Sequence, residues 1–249
     1  MAQQLISCIC PTYGRMTALG ESLECFMRQD YRPRELVILN DSPVAITDIA
    51  DDRLAKVSEG TWRGDGCTVR VFNETLFSSL GLKYRRLLEL ARGDIIAHWE
   101  DDDLYLPSHL SGRVGALVAR QAVKSDLAHV LAWQAGSWRY EGIQGNVFEA
   151  QMAYRVGTGR RIGYKNIDNP CFKFLCMLDA GDLVDCTPPP EPTYCFRWDT
   201  RVPHGQCVTQ ELWRAGNTDF AETLTARDIE PYLTLIGGDN GRIHEVARR

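Results

Sequence analysis

The sequence predicts an α/β fold: a mostly parallel central sheet flanked by helices on both faces. Short apolar runs alternate with segments of helical spacing through the first half of the chain, the pattern of strands joined by crossover helices. Three of those runs end in polar clusters, Pro11-Thr12-Tyr13, Asn40-Asp41-Ser42 and Glu100 to Asp103. In open parallel sheets ligands sit beyond the carboxyl ends of the strands, so these clusters are expected to converge in one crevice. The chain has 249 residues, 44% of them hydrophobic. That is ample for one large domain, since single α/β domains reach about 200–250 residues.

The elements follow in order. Leu5 to Cys10 is an apolar run closed by Pro11, and Leu19, Leu23, Phe26 and Met27 give Ala18 to Gln29 a helical face. Glu35 to Leu39 is a second buried strand ended by turn-forming Asn40-Asp41-Ser42-Pro43, and Val69 to Phe72 is a third. A helix from about Leu82 to Ala91 leads through Gly93 into a strand over Ile95 to Trp99, and Leu110, Val114, Leu117 and Val118 mark a helix after Pro107. The pattern then weakens. Trp133 to Tyr140 and Asn146 to Tyr154 read as aromatic-rich strands, and Phe172 to Ala180 as a helix ended by Gly181. Thr187 to Pro192 is an extended polyproline connector, Tyr194 to Trp198 a last strand, and the polar tail after Gly237 is expected to be loosely held.

The strand over Ile95 to Trp99 runs straight into four acids, Glu100-Asp101-Asp102-Asp103. Adjacent carboxylates repel one another, so a fold that gathers them at a strand end is expected to bring a cation there. Mg²⁺ or Mn²⁺ prefers oxygen ligands, and Mg²⁺ is commonly held by one or two carboxylates plus substrate phosphates. The run therefore points to a nucleotide substrate.

A net charge of −5 supplies no global field for nucleic acid or anionic lipid, although a local basic patch remains possible. No apolar run reaches about 18 residues and no charged-then-apolar leader is visible, so neither a membrane span nor a signal peptide is expected. Among the nine cysteines, Cys8 and Cys10 alternate in the first strand as small buried hydrophobes, and Cys171, Cys176, Cys186, Cys195 and Cys207 form no C-x-x-C pair. Reduced thiols and a cytoplasmic location are expected.

Taken together, the strand-end clusters resemble family 2 glycosyltransferases of the GT-A fold. Members begin with a strand followed by Pro-Thr-Tyr and a polar residue, place an acid after strand two and carry a D-x-D-type motif after a later strand. Here these are Pro11-Thr12-Tyr13-Gly14-Arg15, Asn40-Asp41-Ser42 and Glu100 to Asp103, and Gly81-Leu82-Lys83 is similar to a G-x-K-R-N segment of some members, with Arg85 where Asn is usual. The resemblance covers about the first 120 residues well. It implies a Rossmann-type sheet with residues 1–120 as the donor-binding half and residues 121–249 as the acceptor-side half of the same domain.

It also implies roles. Pro11, Thr12, Tyr13, Arg15, Asp41, Lys83, Glu100, Asp101 and Asp102 would bind a nucleotide-diphosphate sugar, most simply UDP-linked. Tyr13 can stack on the base, a contact worth about 1–3 kcal/mol. Asp41 can accept the base N–H, and Arg15 or Lys83 can neutralise the pyrophosphate. If Leu104-Tyr105-Leu106-Pro107 sets the register, Glu100 replaces the first Asp of the motif and Asp102 is the metal ligand, with Asp103 a second possibility. Shifting by one makes Asp101 and Asp103 the pair. His204 sits where a late histidine joins the metal in the family. Asp168, ahead of the Phe172 helix, is the candidate base for an inverting displacement, followed by Glu149 and Asp182.

Plainer alternatives stand beside these roles. Tyr13 could be a loop aromatic, Asp41 a turn former, Lys83 part of a solvated helix face with Arg85 and Arg86, the acidic run a solvated loop, and Asp168 an N-cap. A nucleotidyltransferase or a catalytically silent binding protein on the same fold also stays open. The acceptor is a hydroxyl on a glycan, a lipid-linked sugar or modified nucleic acid such as DNA. Arg155, Arg160, Arg161 and Lys165 form either a basic acceptor surface for a phosphate-bearing polymer or a solvated loop.

Overall fold

The computed structural model describes residues 3–119, 124–125, 129–134, 137–142, 150, 152–166, 193–197 and 220–224. Its centre is four parallel strands, β1 (Ile6–Thr12), β2 (Arg34–Asn40), β5 (Cys67–Asn73) and β6 (Ile95–His98), in the order β5-β2-β1-β6. All seven residues of β1 and of β2 are buried; Cys8–Cys10 and Leu36–Leu39 are apolar on both faces, and the buried Ser7 hydroxyl donates to Glu35 Oε1 at 2.6 Å. The sheet is completed on one side by an antiparallel hairpin, β3 (Ala55–Ser58) and β4 (Thr61–Gly64), and on the other by β11 (Ala153–Arg155) and β8 (Lys124–Ser125).

The two faces of the sheet bury separate cores. Cys8 and Cys10 of β1 and Leu36 and Ile38 of β2 pack with Leu19, Leu23, Phe26 and Met27 of α1 (Met16–Met27) and with Leu110, Val114 and Leu117 of α3 (His109–Ala119). On the opposite face Ile9, Val37 and Leu39 meet Tyr84, Leu87 and Leu88 of α2 (Leu80–Leu90), and Tyr154 and Tyr164 bracket α4 (Val156–Ile162). Successive strand residues thus alternate between helices, as period two requires.

A second sheet runs β13 (Phe220–Leu224), β10 (Ser137–Gly142), β9 (His129–Gln134), β12 (Tyr194–Arg197) and β7 (Leu104–Tyr105). The sheets exchange strands across residue 120. β7 joins the second sheet through β12, while β8 and β11 complete the first.

Several local expectations change. β1 continues through Pro11 to Thr12, and the 133–140 strand is a hairpin of β9 and β10. The β3–β4 hairpin gives no readable run because β3 has only four residues, all exposed; Trp62 of β4 is the buried anchor. α4 contains Gly157 and Gly159, poor helix formers, yet Gly159 is needed: a Cβ there would lie 2.4 Å from the Tyr154 ring. The Phe172 helix, the proline connector and the tail lie outside the described residues. No described helix is long and apolar enough to cross a membrane.

Candidate active site

Strand register aligns the polar clusters. Thr12 pairs with Asn40, Asn40 pairs with Asn73, and Ile9 pairs with His98, so the residues after β1, β2 and β6 emerge at one edge. The loop after β2 is pinned there: the Asn40 amide donates to the Asn73 side chain (2.9 Å) and to the Val44 carbonyl (2.8 Å), and Asn73 exchanges hydrogen bonds with the backbone of Ile46. Gly14 turns the chain from β1 into α1 at φ +68°, and a Cβ on it would press within 3.2 Å of Ser42 Oγ. β1 and β2 therefore hold their end loops in contact.

Arg15 organises the acidic run. Its Nε donates to Asp101 Oδ2 at 3.1 Å and its Nη2 to Asp101 Oδ1, a forked pair, while Nη1 reaches Asp102 Oδ2 at 2.5 Å. Thr12 Oγ1 adds a 2.6 Å bond to Asp101 Oδ2. Burial opposes the Arg15 charge, but Asp102, Asp101 and Glu100 more than offset it, and its pKa stands above the ordinary guanidinium value. Burial, with Asp102 adding, pushes Asp101 up to about 6 against the pull of Arg15.

The four acids have distinct environments. Asp101 is closed to solvent and held by Thr12 and Arg15. Asp103 is 1% exposed and accepts from the Tyr194 phenol at 2.5 Å. Glu100 accepts from the Tyr84 phenol, and burial lifts its carboxyl to about 8, with Asp102 and Asp101 adding to the rise. Its backbone is fixed as well: the Glu100 N–H donates to the Tyr105 phenol (2.8 Å) and Ser22 Oγ donates to its carbonyl (3.0 Å). Tyr105 in turn stacks on Trp99 with ring centroids 3.8 Å apart. Asp102 keeps a side chain 17% exposed at the crevice.

Lys83, on the first turn of α2, is 5% exposed, which removes the solvated-face alternative. Its ammonium pairs with Asp41 Oδ1 and donates to the Thr12 carbonyl at 2.6 Å, while Asp41 Oδ2 accepts the Phe77 N–H at 3.2 Å. Burial lowers the Lys83 pKa in spite of Asp41. Beneath the site His98 Nε2 meets the Tyr164 hydroxyl at 2.6 Å, which meets that of Tyr154 at 2.7 Å, and Tyr84 stacks on both His98 and Tyr164.

Pro11, Thr12, Tyr13, Arg15, Asp41, Lys83 and residues 100–103 are thus brought to one edge, with Tyr13 half-buried there. Asp168, His204, Glu149 and Asp182 lie outside the described residues. Tyr84, Tyr105 and Tyr194, which fix the acids, were not singled out in the sequence. Tyr84 adjoins Lys83 in a recognisable segment, whereas Tyr194 follows the proline connector with no local signal.

The glycosyl transferase family 2 model matches residues 7–175, a span that contains Thr12, Tyr13, Arg15, Asp41, Lys83 and the four acids but not Tyr194. The chain belongs to glycosyl transferase family 2. No curated protein matches this family 2 member significantly in sequence. Among solved structures it is similar to S. aureus TarS 1-349 in complex with UDP-GlcNAc, with 14% identity and a TM-score of 0.60 over 79% of this chain and 59% of that one. It is also similar to the mannosyltransferase PcManGT from Pyrobaculum calidifontis in complex with GDP-Man and Mn²⁺, with 15% identity and a TM-score of 0.59 over all of this chain and 74% of that one. The chain spans about 60% of the length of the TarS 1-349 structures. These likenesses establish the fold of this family 2 member as that of the GT-A glycosyltransferases.

Among the described residues of the family 2 member no three Asp, Glu, His or Cys side chains form a closed metal cage. The donor set still fits a hard divalent ion held by one carboxylate and substrate phosphates, because Asp102 alone among the three aspartates keeps an open edge.

Proposed function

We propose that this glycosyltransferase is metal-dependent and inverting, and moves a sugar from a UDP-linked donor to a hydroxyl acceptor. The observation that carries the proposal is the Arg15–Asp101–Asp102 cluster set beside the Lys83–Asp41 pair at the ends of β1, β2 and β6. UDP-GlcNAc in TarS and GDP-Man with Mn²⁺ in PcManGT support a nucleotide-sugar donor.

Tyr13 would stack on the base. Asp41 would accept the base N–H on a lone pair that Lys83 and Phe77 leave, since an ionised carboxylate offers about four acceptor sites. Lys83 then acts mainly by holding Asp41 and the Thr12 carbonyl in place. Arg15 has five N–H donors, enough to orient Asp101 and Asp102 and still reach a phosphate oxygen. Asp102, with Asp103 and His204 as further candidates, would hold the Mn²⁺ or Mg²⁺. When bound, that ion supplies positive charge against the departing diphosphate.

Asp168 would take the acceptor proton as its oxygen bonds to the anomeric carbon, while the bond from that carbon to the diphosphate breaks and UDP leaves with the electron pair. Attack opposite the leaving group inverts the anomeric centre. A cytoplasmic location, where thiols stay reduced, completes the reading; Cys8, Cys10 and Cys67 are buried free thiols.

The test is product analysis with UDP-sugars and an acceptor panel. Free UDP and an inverted anomeric proton signal are expected. Pyrophosphate as the product would overturn glycosyl transfer, a retained configuration would overturn inversion, and full turnover by Asp168→Asn would overturn the base.

A further inference from the structure

Two phenols hold the two ends of the acidic run. Tyr105 Oη accepts the Glu100 N–H at 2.8 Å and donates to the Ala150 carbonyl at 3.1 Å, and Tyr194 Oη donates to Asp103 Oδ2 at 2.5 Å. We propose that Tyr194 is a positioning residue for the metal: it retains Asp103 as an internal anchor of the loop and so leaves Asp102 as the carboxylate turned to the ion. The proposal rests on the glycosyl-transfer reading and takes Asp103 out of its candidate metal ligands.

The fold aims the Tyr194 hydroxyl. β12 pairs antiparallel with β7, which sets Tyr194 opposite Tyr105 and Cys195 opposite Leu104, and the Leu106 N–H donates to the Thr193 carbonyl at 2.9 Å. Thr193 Oγ1 also meets His109 Nδ1 at 3.0 Å, which ties the strand to the first turn of α3. The Tyr194 ring lies 5.3 Å from that of Tyr105, itself stacked on Trp99. From the other side the Gln29 amide donates to the Leu106 carbonyl at 2.7 Å. A strand residue 91 positions further along the chain thus delivers its hydroxyl to the acidic loop.

Burial makes that hydroxyl matter. Asp103 is 1% exposed and Tyr194 is fully buried, and a buried carboxylate is costly unless donors reach it. A hydrogen bond to an ionised carboxylate is roughly twice as strong as a neutral one, and 2.5 Å lies in the short range expected of it. Both effects hold Asp103 toward β12 rather than toward the crevice.

The consequence falls on Asp102. It stands between Asp101, held by Thr12 and the Arg15 fork, and Asp103, held by Tyr194. With both neighbours anchored, the backbone between them is fixed, and the Asp102 side chain, 17% exposed, meets Arg15 Nη1 at the crevice. Removing a group that orients a metal ligand from behind typically costs about 10–100-fold in metal affinity. Tyr194 stands in that relation to Asp102, one residue removed.

The experiment is calorimetric titration of the full chain with UDP, with and without Mn²⁺, beside urea unfolding. Tyr194→Phe deletes one oxygen and keeps the ring against Tyr105. It should leave UDP affinity without Mn²⁺ unchanged and reduce the Mn²⁺-dependent gain about tenfold. Asp103→Asn keeps an oxygen to accept from the phenol and should keep that gain, and the double variant should lose no more than Tyr194→Phe alone. A lower unfolding midpoint in Tyr194→Phe with the full gain retained would reduce the contact to a structural one and overturn the proposal. Loss of the gain in Asp103→Asn to the extent seen in Asp102→Ala would make Asp103 a ligand and overturn it too, and this arm stands even if Tyr194→Phe misfolds. In both cases the wild type still binds UDP with Mn²⁺ and the glycosyl-transfer reading survives. Absence of that binding in the wild type would remove the reading and the proposal together.

Discussion

Lys83 and Asp41 form an ion pair whose side chains are 7% and 5% exposed, and it ties the first turn of α2 to the end of β2. Removing one partner of a buried pair leaves the other charge uncompensated, at a cost of about 3–5 kcal/mol. Lys83→Ala is therefore expected to lose that much in urea unfolding, and Lys83→Met with Asp41→Asn to recover part of it. A loss below about 1 kcal/mol would show that the pair contributes little.

Glu100 carries a pH signature. Burial, with Asp102 and Asp101 adding, raises its carboxyl from 4.5 to about 8, so between those values the folded chain holds a proton that the unfolded chain releases. That contribution to stability is full below about 4.5 and lost as pH rises through about 8. Glu100→Gln keeps an acceptor for Tyr84, and its unfolding midpoint should vary less with pH over this window. An identical pH slope in the variant would contradict the assignment.

His98 acts in the opposite sense. Burial lowers its pKa from 6.5 to about 3, so its contribution is present above 6.5 and lost as pH falls through about 3. His98→Phe retains a ring to stack on Tyr84 and should flatten the acid limb of the stability profile. The His98 and Glu100 slopes oppose one another between 4.5 and 6.5, so the single variants separate what the wild type mixes. No change in the acid limb would rule out His98 as its source.

The central sheet was legible because the middles of its strands are buried on both faces and carry apolar runs such as Leu36–Leu39 and Ile95–Ala97, and the polar strand ends mark the crevice. What the acids do to one another was not legible. Four adjacent carboxylates look alike in sequence, but Asp101 turns to Arg15 and Thr12, Asp103 to Tyr194 and Glu100 to Tyr84, and their partners come from as far as 91 positions along the chain. Edge strand β3 and the glycine-containing α4 carry weak signals, β3 because its alternation lasts only four exposed residues and α4 because it has no apolar periodicity. The buried tie of Lys83 to Asp41 was not legible either, since a helical lysine's direction is set by which helix face packs on the sheet.

The proposal gives the metal to Asp102, and calorimetric titration of UDP in the presence of Mn²⁺ tests that assignment most directly. Wild type should bind UDP, with an affinity that falls when Mn²⁺ is withheld, and Asp102→Ala should lose the Mn²⁺-dependent part. Absence of UDP binding by the wild type, or the same Mn²⁺-dependent affinity in Asp102→Ala, would contradict it.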